Sequence, residues 1–198
     1  MSAAKKVDNT SLASKIAIRR WLLSRIGIQE VYVLDTCAGL GKVWEAMEKH
    51  VVVRQWTRCD QPPRRTGTLA LSAVDAIVRF PLETYNVIDI DPYGEPWEAY
   101  RALLSRLSHS VAVFLTHGHK RQASVNISAD SMKAIGIPVH WPIPRTANVS
   151  TYVAQHALGQ SWRFATITCA GLIESIYVTY YALALTPLKA GQETRRGS

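Results

Sequence analysis

The sequence predicts an α/β fold, a mostly parallel sheet completed by a C-terminal antiparallel β-hairpin. Three observations predict it. Short apolar runs alternate with helical patterns between residues 31 and 115. Three of those runs, Val31 to Leu34, Asn86 to Ile90 and Val111 to Leu115, stop at an acid or a Gly- or Pro-containing turn. Two β-rich runs then close the chain with no helix between them.

The elements follow in order. Thr10 or Ser11 caps a helix whose apolar positions are Leu12, Ile16, Leu22, Leu23 and Ile26, and Gly27 stops it. Lys15, Arg19, Arg20 and Arg25 lie largely off that stripe and read as a solvated face. Val31 to Leu34 is a strand ending at Asp35, followed by a Gly-containing turn and a helix from Lys42 to Lys49. Val51 to Trp56 is a second strand, and Gln61 to Gly67 is a loop on Pro and Gly grounds. Leu69 to Phe80 starts ambiguously and ends as a helix closed by Pro81. Asn86 to Ile90 is a strand and Pro96 opens a helix to about Leu107. Val111 to Leu115 is a strand ending at Thr116-His117-Gly118-His119. Pro138, Pro142 and Pro144 forbid long regular structure near residue 140, and Asn148 to Leu158 is helical. Trp162 to Cys169 and Ile176 to Leu185 form a hairpin around Gly171.

Composition narrows the function classes. Of 198 residues, 47% are hydrophobic and 19% charged, enough to bury a core and too apolar for a disordered chain. Lys+Arg 23 against Asp+Glu 15 gives a net charge of +8, which suits an acidic partner such as RNA or DNA. Cys37, Cys59 and Cys169 form no C-x-x-C pair and no disulfide framework, so the expected compartment is the reducing cytoplasm. The N-terminal charges are not followed by an apolar stretch, and no apolar run is long enough to span a bilayer, so no membrane association is expected.

Residues 33–41 read Val-Leu-Asp-Thr-Cys-Ala-Gly-Leu-Gly, an acid at a strand end followed by a turn whose glycines pass close beneath a ligand. A dinucleotide fingerprint needs a third small residue where Trp44 stands. A P-loop fails at Thr36 and Val43, and Asp35 would repel a polyphosphate. The segment resembles the D-x-F-A-G-x-G motif of S-adenosyl-L-methionine-dependent amino-group methyltransferases acting on DNA and RNA bases. Asp35, Ala38, Gly39 and Gly41 match, and Cys37 stands where that family places Phe. The resemblance implies a Rossmann-like fold with a seven-stranded sheet, and S-adenosyl-L-methionine held by Asp35, Cys37, Ala38, Gly39 and Gly41. It further implies that Asp60 takes the ribose hydroxyls and that Asp75-Ala76 lie beside the adenine amino group.

Residues 86–97 read Asn-Val-Ile-Asp-Ile-Asp-Pro-Tyr-Gly-Glu-Pro-Trp. Asp91 and the Pro92 carbonyl are two acceptors at a sheet edge, Tyr93 is a face for a planar base, and Gly94 allows close approach. An exocyclic nucleobase amine is a poor nucleophile because its lone pair is delocalised into the ring. A carboxylate and a carbonyl accepting its two hydrogens orient it and help it rehybridise. The stretch is similar to the [D/N/S]-P-P-[Y/F] motif of amino methyltransferases, and most resembles the D-P-F-G-S-P element of tRNA guanine-N2 dimethyltransferases, with Glu95 departing. The resemblance implies catalysis by Asp91, Pro92 and Tyr93. It divides the chain into an amphipathic helix (1–28), a methyltransferase domain (29–187) and a flexible tail (188–198).

Asp89, two residues before Asp91, faces the same way and reads as a supporting or capping acid. Arg64-Arg65 is a candidate phosphate contact, with a plain solvated loop as the alternative. His117 and His119 lack a third metal ligand, so no metal is expected, and a substrate role is assigned to His117. Trp97 and His140-Trp141-Pro142 line either a base pocket or the core. The function expected is methyl transfer to an exocyclic amino nitrogen of a nucleobase in RNA or DNA, with basic loops, the first helix or a partner subunit choosing the target. Two alternatives stay open: the same chemistry on a protein or small-molecule amine, and a non-catalytic methyltransferase-like binding module.

Overall fold

A computed structural model describes residues 11–92, 94–118, 149–174 and 178–188. Its strands are β1 (Glu30–Asp35), β2 (Val52–Asp60), β3 (Leu69–Ala70), β4 (Val87–Ile90), β5 (Val111–Gly118), β6 (Ala165–Glu174) and β7 (Val178–Pro187). They form a 7-stranded sheet in the order β3-β2-β1-β4-β5-β7-β6. The pairings from β3 to β5 are parallel, and β7 is antiparallel to both of its neighbours. The helices are α1 (Leu12–Arg25), α2 (Lys42–Met47), α3 (Ala73–Arg79), α4 (Trp97–Arg106) and α5 (Val149–Gly159). Among the described residues no helix is long and apolar enough to cross a membrane.

The hydrophobic alternation of the strands builds two cores, one on each face of the sheet. Ile18, Leu22 and Leu23 of α1 and Trp44 and Met47 of α2 pack with Val33, Phe114 and Tyr180 on one face. Residues of α3, α4 and α5 pack with Leu34, Ile88, Val113 and Leu115 on the other. Strand order reverses direction between β1 and β4. At such a switch point the connections leave β1 and β4 toward opposite sides and open a crevice at the strands' carboxyl ends.

Several expectations need correction. The β2 strand runs four residues past Trp56 to Asp60, and the two-residue β3 was read only as an ambiguous start. The β5 strand continues through Thr116, His117 and Gly118, because all three pair with β7. Gly171 is not in the hairpin turn; it sits inside β6 opposite Ala182, where the Trp21 ring covers its α-carbon so closely that a Cβ would lie 2.4 Å from the ring. Trp162 belongs to a 3-10 turn before β6. The solvated-face reading of α1 fails for two residues, since Arg19 is buried at 1% exposure and Lys15 pairs with Asp91 just past the end of β4. His119, Lys120, Arg121, residues 140–142 and Tyr93 lie outside the described residues.

Candidate active site

A cleft of about 510 Å³ opens at the carboxyl ends of β1 and β4, a size typical of small-molecule sites. One wall is the turn after β1, with Thr36, Cys37, Ala38, Gly39 and Gly41. Asp91, Pro92 and Gly94 of the turn after β4 form another. Thr36 ties the two together: its N–H and its hydroxyl both donate to the Asp89 carbonyl, each at 2.9 Å. Ala38 N–H donates to the Cys59 carbonyl at 2.8 Å, and Gly118 N–H to the Gly94 carbonyl at 2.8 Å, so each turn is also pinned to its outer neighbour strand.

The glycine turn needs its glycines for separate reasons. Gly39 has φ +53°, and a Cβ there would meet nothing within 4 Å. Gly41 has φ +80°, and a Cβ would strike Arg65 Nη1 at 2.7 Å and Trp56 Cη2 at 2.8 Å. The first glycine keeps the cleft side bare, whereas the second lets the turn settle on Trp56.

Asp35 lies beneath the turn rather than in the cleft wall. It is buried, and Trp56 Nε1–H donates to its Oδ2 at 3.2 Å. Burial first, and the neighbouring Asp89 charge second, push its carboxyl well above the usual carboxylate range. Burial also drives the Cys37 thiol upward. Asp60, at the end of β2, lines the cleft; Gln61 N–H donates to its Oδ1 at 3.0 Å, while its buried Oδ2 has no hydrogen bond among the described residues. Thr116 Oγ1 and Tyr180 OH, on cross-strand partners of β5 and β7 that also line the cleft, are buried without a hydrogen bond as well. Such orphaned polar groups cluster where a ligand completes the structure.

Other candidates go elsewhere. Asp75 and Ala76 stay out of the cleft wall, which Leu71, Ser72 and Ala73 form instead. Asp75 completes a capping box on α3: its N–H donates to Ser72 Oγ at 3.1 Å, and that hydroxyl donates to its Oδ2 at 2.7 Å. Ala76 is core. Arg64 lines the cleft, but Arg65 turns away, ion-pairs with Glu45 and lies over the Trp56 ring at 5.9 Å. His117 sits on the far side of β5 from Thr116 and Gly118, edge-on to Trp97 at 5.2 Å, because alternate residues of a strand face opposite ways. Trp97 itself is core.

Beneath the second turn lies a charge cluster that was not read from the sequence. Arg19 reaches Asp89 with Nε–Oδ2 2.9 Å and Nη2–Oδ1 2.6 Å, and Trp44 Nε1–H donates to Asp89 Oδ2 at 2.7 Å. Four residues earlier on α1, Lys15 Nζ pairs with Asp91 Oδ2 in the cleft wall. Burial pushes the Asp91 carboxyl upward, and the Lys15 charge opposes the shift. The signal was available: a cation pair spaced i, i+4 on a helix matches an acid pair spaced i, i+2 on a strand.

The chain has the Rossmann-like methyltransferase fold. No protein-family model matches its sequence, and no curated protein matches it. Among solved structures it is similar to Trm1 from Pyrococcus horikoshii with S-adenosyl-L-methionine, at TM-score 0.54 and 11% identity over 93% of this chain and 58% of that one. It is also similar to the plantazolicin methyltransferase BamL with a triazolic analog and SAH, at TM-score 0.51 and 12% identity over 90% of this chain and 86% of that one. A third is magnesium protoporphyrin IX methyltransferase from Synechocystis PCC 6803 with bound SAH, at TM-score 0.50 and 12% identity, covering 92% and 90%. In the methyltransferase fold of this chain, Gly39 and Pro92, far apart in sequence, line one cleft.

Proposed function

We propose that the protein is an S-adenosyl-L-methionine-dependent methyltransferase that modifies an exocyclic amino nitrogen of a nucleobase in RNA or DNA. The observation that carries this reading is that the glycine turn and the Asp91–Gly94 turn line the same cleft. The cofactor, when bound, supplies an electrophilic methyl group on a sulfonium.

The residues present suit that group. The bare α-carbon of Gly39 and the turn from Thr36 to Gly41 give it a close backbone cradle, and Asp60 Oδ2, ion-paired with Arg64 Nε at 4.0 Å but without a hydrogen bond among the described residues, is an acceptor for a ribose hydroxyl. Ser72 and Ala73 take the place expected of Asp75 and Ala76 beside the adenine. At the other end, Asp91 and the Pro92 carbonyl accept the hydrogens of the incoming amine. A base in a duplex must be extruded to enter. The net charge of +8, with Arg64 at the cleft, supports a phosphate-bearing substrate.

Incubation with methyl-labelled cofactor and separate RNA, DNA and protein pools, followed by nucleoside analysis, tests the reading. Label on a base amino nitrogen is the expected result. Label confined to the protein pool, or no transfer with cofactor bound, would overturn it.

A further inference from the structure

Asp91 is the single carboxylate that the proposed function places against the accepting amine, and it is half engaged already. Its Oδ2 receives Lys15 Nζ from α1, and its Oδ1 takes no hydrogen bond among the described residues. The two side chains are 14% and 19% exposed, so their pairing is poorly screened by water.

The charges around this pair balance. Arg19 of α1 is matched by Asp89 of β4. Asp35 of β1 lies buried beneath the glycine turn, where burial first and the Asp89 charge second push its carboxyl above the usual carboxylate range. Among the described residues the other charged side chains of the cleft lining are Lys42 of α2, Asp60 at the end of β2 and Arg64 of the loop after it, while Ser11, Pro92, Gly94, Thr116 and Tyr180 are uncharged.

We propose that Lys15 is a positioning and specificity-determining residue. It holds Asp91 by one oxygen and neutralises it, so the cleft takes a neutral aromatic amine on Oδ1 and turns away an alkylammonium. A neutral amine needs only a lone pair on the free oxygen. An alkylammonium brings a second positive charge to a carboxylate that already has its counter-ion, and like charges a few ångströms apart repel strongly in a half-buried wall. The inference rests on the methyltransferase reading, because that reading puts the transferred group beside Asp91.

The test is calorimetric binding of two amines by the whole protein saturated with S-adenosylhomocysteine. One is aniline, neutral at pH 7.5; the other is benzylamine, of similar size and cationic at that pH. Wild type is expected to bind aniline more tightly. Lys15→Met is expected to shift the ratio toward benzylammonium by roughly tenfold or more, and Lys15→Arg to keep the wild-type order. An unchanged ratio in Lys15→Met would overturn the role of Lys15 and leave the methyltransferase reading standing. So would tighter binding of benzylammonium by wild type, or binding of neither amine, neither of which needs a variant to fold. Failure of wild type to bind S-adenosylhomocysteine would overturn the reading and the inference together.

Discussion

Arg19 of α1 and Asp89 of β4 form a two-pronged ion pair sealed in the protein, with the Arg19 guanidinium 5.1 Å from the centre of the Phe114 ring. Their side chains are 2% and 3% exposed. Taking one partner away strands the other charge in a site with little water, so either Arg19→Met or Asp89→Asn is expected to cost about 3–5 kcal/mol. The double variant Arg19→Met/Asp89→Asn should lose clearly less than the sum. Urea unfolding of the four proteins checks this, and strict additivity would count against the pairing.

The two glycines of the first turn should separate binding from folding. Gly39→Ala puts a methyl group into open space on the cleft side and carries only the left-handed backbone cost of about 1–2 kcal/mol. Its main expected effect is weaker cofactor binding. Gly41→Ala adds a collision with Trp56 and Arg65 to the backbone strain, for a stability loss of roughly 2–4 kcal/mol. Thermal melts and cofactor titration of both variants distinguish the two effects.

Asp35 makes stability depend on pH. Its folded carboxyl titrates above the unfolded value of about 3.9, so the native state binds more protons than the unfolded state between those two values. Its contribution is therefore greatest below the unfolded pKa, falls as pH rises toward the folded pKa, and is level beyond it. Asp35→Asn keeps an acceptor for Trp56 and has no such titration. Its stability advantage over wild type should grow from pH 4 to neutral pH, and a constant offset in melts across that range would contradict the account.

Asp91 should affect turnover without affecting the cofactor. Asp91→Ala removes an acceptor of the amine's hydrogens, and a loss of about 10²–10³ in rate or more is expected. Cofactor affinity should be nearly unchanged, since the glycine turn and Asp60 remain. Single-turnover transfer measured beside equilibrium binding checks both halves, and full activity in the variant would remove Asp91 from the chemistry.

Much of this was legible in the sequence because strands buried on both faces announce themselves as apolar runs, as Val111 to Leu115 does. The two motif turns were legible because acids and glycines at strand ends are costly unless used. What was missed has physical causes. Lys15 and Arg19 read as surface charges because their partners lie 76 and 70 residues away, and only the packing of α1 across β5, β7 and β6 brings them together. Asp75 was assigned to the cofactor although Ser72-x-x-Asp75 is also a helix-start pattern, and the local hydrogen bonds decide for the helix. The substrate role of His117 rests on a strand that stops before His-Gly-His; pairing with β7 extends the strand, and alternation then turns the ring away from the cleft toward Trp97. Gly171 suggested a hairpin bend, yet its missing side chain makes room for Trp21.

That last contact links the earliest described helix to the latest strands, since α1 packs on both β7 and β6. A nascent chain that has released only β1 through β4 already owns both motif turns, yet lacks the bed on which α1 lies. The partners of Lys15 and Arg19 have emerged by then, but the β6 and β7 surface that holds α1 against the sheet comes last. Maturation of the hollow is thus a whole-chain event, paced by encounters between distant stretches of polypeptide rather than by the quick local winding of its helices.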